Sequence, residues 1–198
     1  MTKAHKIVTV ATVGVLAILA NAFLPMAVSS QSKGSSGFDS AVDQNGNIRV
    51  PDVDFRKDWV SLGAWAVAND EDGKQGSKGM HVVYTQPETV AAYRKTGKFP
   101  DGAVLVKELF SSVTEAMTTG TISRADKTAG YFVMVKDSTG RFPNNKLWGD
   151  GWGWSFFGAT ETRKTTSTDY KADCLGCHIP AKKNDWIYTQ GYPVLGSR

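Results

Sequence analysis

The chain has 198 residues, 41% of them hydrophobic, and a formal net charge of +4 at pH 7. That length supports one ordinary domain whose core needs no disulfides. Two of the excess positive charges, Lys3 and Lys6, lie in a leader, and the small balance that remains argues against nucleic-acid binding.

Residues 1–22 read as a signal peptide: Lys3 and Lys6 precede an uncharged apolar run from Ile7 to Ala20, and Ala20-Asn21-Ala22 has the small-x-small form of a cleavage site. An uncleaved anchor is the competing reading, because the apolar character continues to Val28 and roughly 20 apolar residues span a bilayer; Asn21 and Pro25 interrupt that span. The expected location is the periplasm. Ser29 to Gly37 is polar and small, too poor in apolar surface to offset the entropy of ordering it. Residues 23–50 are therefore expected to form a flexible tether and lead-in, with the domain proper over 51–198.

Within the domain, strands are predicted at Trp59 to Ala68, Met80 to Tyr84, Ala103 to Leu109, Tyr131 to Lys136 and Trp152 to Gly158, all rich in Val, Trp, Tyr and Phe. Asp70 to Gly79 and Asp137 to Gly140 are polar, glycine-bearing connections. Thr85-Gln86-Pro87-Glu88 has the spacing of a capping box with proline in the first turn, and the helix it opens continues through Lys95 until Gly97 stops it. The expected class is α+β, a predominantly antiparallel sheet with a few short helices; the long amphipathic periods of a helical bundle are missing.

Both cysteines of the chain fall in Cys174-Leu175-Gly176-Cys177, followed at once by His178. C-x-x-C-H is the attachment sequence of c-type haem. On one helical turn the two thiols can add across the vinyl groups of one haem, and the adjacent imidazole then lies under the iron as an axial ligand. A structural disulfide, a thioredoxin-like redox pair and half of a zinc site are the alternatives. Zinc is short of ligands, since the mature chain has only His81 besides His178, and a redox pair leaves the histidine unexplained. Ser167 to Asp173 offers capping residues for a short helix that Ile179-Pro180 is expected to end.

Lys98 to Leu109, Met134-Val135-Lys136-Asp137 with Arg141-Phe142, and the stretch from Cys174 to Leu195 together resemble the cytochrome P-460 family. His81-Val82-Val83-Tyr84 and Trp148-Gly149-Asp150-Gly151-Trp152-Gly153-Trp154 are similar to its sheet and aromatic wall. The resemblance runs from about Phe55 to Leu195. It implies a periplasmic homodimer with one covalent c-type haem, open on its distal face to small nitrogen ligands. In the members that oxidise hydroxylamine, a lysine nitrogen is also bonded to the porphyrin edge. That lysine stands in a Val-Lys-Glu-Leu stretch, which here makes it Lys107.

Lys107 also has a bland reading as a solvated lysine on an outer strand face. Alternation puts Leu105, Lys107 and Leu109 on one face, and Val104, Val106 and Glu108 on the other. Two flanking leucines favour an inward lysine, whose burial would lower its pKa and free the lone pair.

The resemblance implies hydroxylamine oxidation to nitrous oxide or nitrite, with electrons passed to a periplasmic cytochrome. Such chemistry needs a proton acceptor near the bound nitrogen. Asp169 is the candidate, with Glu161 and Asp173 behind it, although Asp169 also reads as an N-cap; His81 could assist. The second reading is that of the sister cytochromes c′-beta, which bind nitric oxide or carbon monoxide under an aromatic cap that Trp152, Trp154, Phe156 and Phe157 could build. Those aromatics also read as plain core. The third is an electron carrier whose second axial ligand is His81, Met80, Met117 or Met134.

Overall fold

A computed structural model of the chain describes residues 37–71 and 73–196, with Met1. The expected signal peptide, apart from Met1, and the first half of the expected tether, residues 23–36, lie outside the described residues. Among the described residues no helix is long and apolar enough to cross a membrane.

The fold is α+β, as its sequence predicts. Six antiparallel strands form one sheet in the order β1-β2-β3-β4-β6-β5: β1 Val60–Ala68, β2 Ser77–Thr85, β3 Val104–Met117, β4 Gly120–Lys136, β5 Trp148–Gly149 and β6 Trp152–Gly158. Among the described residues, short helices accompany it, α1 Gly37–Ala41, α2 Phe55–Asp58 and α3 Pro87–Thr96, with a helical C-terminal segment from Lys171.

The sheet buries both faces. On one, Leu62, Val83, Leu105, Met134 and Trp154 pack under the C-terminal segment through Trp186, Tyr192 and Leu195. On the other, Val104, Val106, Val133, Val135 and Phe157 pack against Ala41, Val42, Ile48, Val50 and Phe55. This second layer corrects the tether. Residues 37–50 contribute buried apolar side chains and an isolated bridge between Val42 and Ile48, and burial of that kind offsets the entropy of ordering them.

The same face holds a charge. Glu108 is fully buried and accepts hydrogen bonds from Arg56 Nε at 2.9 Å and Thr128 Oγ1 at 3.0 Å, and Arg56 also donates to Tyr131 Oη at 3.1 Å. A buried carboxylate needs such partners to remain where it is. The pair therefore anchors the side of β3 opposite to Lys107.

Three local expectations change. β3 and β4 extend far beyond the predicted Leu109 and Tyr131 limits, into a hairpin whose turn is Thr118-Thr119. Its outer part is largely exposed on both sides, so no apolar alternation marks it; cross-strand pairs such as Glu115 with Arg124 and Thr114 with Ser123 hold it instead. Ser77-Lys78-Gly79 joins β2 where a connection was expected. The capping box ahead of α3 does not close: Thr85 ends β2 and donates to Val104 O at 2.7 Å and Gln86 Oε1 at 3.0 Å. Gly97 does stop α3, in the left-handed conformation at φ 70°, with its N–H on Tyr93 O.

Candidate functional site

One face of the sheet and the C-terminal segment enclose a cavity of about 400 Å³. Alternation along paired strands supplies its wall: Trp65 from β1, His81 and Val83 from β2, Leu105 and Lys107 from β3, Phe132 and Met134 from β4, and Trp154 from β6. The registers make these neighbours, with Trp65 opposite His81, Val83 opposite Lys107 and Lys107 opposite Phe132. Cys174, Cys177 and His178 close the cavity from the C-terminal side. His81, Lys107 and the Cys174-to-His178 motif, three places far apart in sequence, thus meet around one space.

The cysteine pair lies on a continuous helical segment. Lys171–Leu175 is wound as a π-helical turn, Gly176–His178 as α-helix and Ile179–Asn184 as 3₁₀-helix. The α-helix ends at His178, at the predicted stop, and the chain continues as 3₁₀-helix with Pro180 in its first turn, where its missing N–H costs little. Cys174 is buried, and burial raises its thiol to about 11; Cys177 is exposed. The C-terminal segment lies close on β1, where a Cβ at Gly63 would meet Gly191 O at 2.3 Å and one at Gly191 would meet Trp65 Nε1 at 2.1 Å. Only glycines allow that approach.

His178 is held by a hydrogen bond of 2.7 Å between its Nδ1 and Trp186 O. A carbonyl can only accept, so Nδ1 carries the proton and Nε2 is the ring nitrogen left with a free lone pair. Burial lowers the pKa of His178 against the raising effect of that bond. Trp154 meets the imidazole edge-on, with centroids 5.1 Å apart.

Lys107 has no hydrogen bond or ion pair among the described residues. Its Nζ stands 5.4 Å from the centroid of the Phe132 ring, and burial lowers its pKa. His81 stacks on Trp65 at 5.7 Å; burial, with the Lys107 charge beside it, takes it down to about 4. Because this value lies below the ordinary 6.5, the unfolded chain takes up the proton first as pH falls. The stabilisation is complete above about pH 6.5 and is lost as pH drops towards about 4. Thermal unfolding followed across that window is expected to show a falling midpoint, and His81→Gln to flatten that part of the curve.

The acidic candidates come out differently. Asp169 does not line the cavity: its Oδ1 accepts the Lys171 N–H at 3.0 Å, the capping role. Asp173 does line it, but its Oδ2 accepts the N–H groups of Thr168 at 2.7 Å and Asp169 at 3.1 Å, which hold its pKa low. Glu161 accepts from Arg163 and Lys164 in an exposed loop. Of the four aromatics, Trp154 alone lines the cavity; Phe157 faces the other core, Trp152 packs on Phe99, and Phe156 packs against Phe132. Phe132, which strand alternation with Met134 could have marked, is one of the wall aromatics that sequence reasoning missed, with Trp65, Tyr188 and Tyr192. Met134 lines the cavity, whereas Met117 is exposed at the hairpin end and Met80 points away from His81's face.

A haem fits these residues. The space is of cofactor size and mostly apolar, two thiols and one oriented imidazole share its wall, and the imidazole's outer nitrogen is already occupied, as is usual for a metal-bound histidine.

The family model described as Cytochrome P460 matches residues 54–189, well over half of the chain. No curated protein matches it.

Proposed function

The chain belongs to the cytochrome P460 family, a family of haem cytochromes, and from that premise we propose that it is a periplasmic, mono-haem c-type cytochrome that oxidises hydroxylamine to nitrous oxide or nitrite. In this reading Cys174 and Cys177 would carry the haem through thioethers, His178 would ligate its iron and Lys107 would bond to the porphyrin edge. When bound, the haem supplies a redox iron with one position open to a nitrogen ligand.

The observation that carries the reading is Lys107. It is a half-buried amine without a hydrogen-bond or ion-pair partner among the described residues, on the wall of the cavity that holds both cysteines and His178. Burial favours the neutral, nucleophilic amine. An unpaired buried lysine is costly unless it has a task. His81 stays neutral near pH 7 and can accept a hydrogen bond or a proton, although a value near 4 makes it a weak base. Trp65, Val83, Leu105 and Phe132 keep that part of the wall apolar and exclude water. The electrons pass to a soluble periplasmic cytochrome, and the protein acts as a homodimer, as the family resemblance implies.

One observation favours the second reading, a cytochrome c′-beta-like binder of nitric oxide or carbon monoxide. Asp173 is the one carboxylate on the cavity wall among the described residues, and it is committed to backbone N–H groups. A binder needs no proton acceptor.

Haem-loaded protein mixed with hydroxylamine and an artificial electron acceptor separates the two. Sustained reduction of the acceptor over many turnovers, with an oxidised nitrogen product, is the expected result. Tight nitric oxide binding without turnover would replace the oxidase with the binder.

A further inference from the structure

Directly after the helical segment, Asp185 and Trp186 both take left-handed backbone conformations, at φ 58° and 68°. Asp tolerates that region; a bulky Trp rarely enters it, and two in succession persist only where contacts hold them. The contacts come from the sheet. Asp185 Oδ1 accepts from Lys136 Nζ at 2.8 Å and from Trp152 Nε1 at 3.2 Å. Lys136 on β4 and Trp152 on β6 are directly paired, and the ammonium also stands 4.9 Å from the centroid of the Trp152 ring. Trp152 is wholly buried, the Lys136 side chain is 11% exposed and that of Asp185 33%, so the clamp is closed on the sheet side and half-buried at the carboxylate.

The next residue carries the consequence. Trp186 O is the acceptor of the His178 Nδ1–H bond, and its position is set by the two left-handed residues. The remaining bonds at the turn, Asp185 N to Lys182 O, Trp186 N to Ala181 O and Ile187 N to Asn184 O, are local and come from the helical segment and the turn itself. Among the described residues, only the Asp185 carboxylate ties the turn to the sheet by hydrogen bonds.

We propose that Asp185, clamped by Lys136 and Trp152, is a positioning residue that aims the Trp186 carbonyl at His178 and thereby sets the orientation and donor strength of that imidazole. Acceptance of the Nδ1 proton gives the ring partial imidazolate character and raises the basicity of Nε2 towards a bound metal. With the clamp gone, the left-handed pair relaxes, the carbonyl turns away and the donor weakens. The inference rests on the reading of His178 as the axial ligand.

The test is the iron–histidine stretching band of the ferrous, haem-loaded protein by resonance Raman, with the reduction potential, in wild type, Asp185→Ala, Asp185→Asn, Lys136→Met and His178→Ala. Asp185→Ala and Lys136→Met are expected to lower the stretching frequency and raise the potential, at unchanged haem content and far-ultraviolet circular dichroism. Asp185→Asn, which tolerates the left-handed region and keeps an acceptor oxygen, should return most of both shifts. An unmoved band and potential in Asp185→Ala and Lys136→Met, with only a lowered melting temperature, overturn the proposal and leave Asp185 a structural residue. A band absent from wild type, or present and unmoved in His178→Ala, overturns the axial assignment and the proposal with it.

Discussion

Lys107→Ala is expected to return a broad, strongly red-shifted Soret band of the dithionite-reduced protein to that of an ordinary high-spin c-type haem. The wild-type band is the signature that the family resemblance implies for a lysine-bonded porphyrin. The physical case rests on placement. Lys107 lies between Val83 of β2 and Phe132 of β4 on the cavity face, while the fully buried Glu108 next to it is bound to Arg56 on the opposite face. A one-residue slip of β3 would exchange the two faces, so the ion pair that holds Glu108 also holds Lys107 inward. Hydroxylamine turnover should fall with the band, on the order of 100-fold, since a misplacement of about 1 Å at a reacting centre costs that much. Lys107→Arg should behave like alanine, because a guanidinium stays protonated and cannot attack. An ordinary c-type band in wild type and variant alike would remove the cross-link and leave the gas-binding reading.

Cysteine substitution is expected to have the largest effect on holoprotein. Cys174→Ala and Cys177→Ala, made in a host that matures c-type cytochromes, should each lose most of their haem, and the double variant all that survives acid-acetone extraction. Thioether bonds resist that treatment, so haem extracted from wild type would refute covalent attachment. The two thiols differ in setting: Cys174 is buried with its thiol raised to about 11, and Cys177 is exposed. His178→Ala keeps both thiols and should retain covalent haem while losing the axial nitrogen. That separates attachment from ligation.

The sheet was legible wherever one face is buried and the other differs from it. β6 falls at its predicted limits, and the inner parts of β3 and β4 are found where expected. The outer hairpin was not legible, since its residues bury neither face and carry no period. The lead-in at residues 37–50 was hidden for the opposite reason: Ala41, Val42, Ile48 and Val50 are too few and too scattered to form a pattern, yet each finds a buried place on the sheet. Among the acidic candidates, Asp169 was readable as a cap, and a cap is what it forms.

The sequence by itself determined what is local in this protein: the contiguous Cys174-to-His178 motif, whose residues lie on one helical segment, and the strand face that Leu105, Lys107 and Leu109 share, which follows from the two-residue period of a strand. The tertiary structure alone decided what faces them. His81, Phe132 and Trp65 reach the cavity through strand registers, and Asp185 reaches Lys136 and Trp152 across 49 and 33 residues. Those meetings depend on which strands pair and where the chain returns over the sheet, and burial of two apolar faces, a property of the whole chain, selects that arrangement.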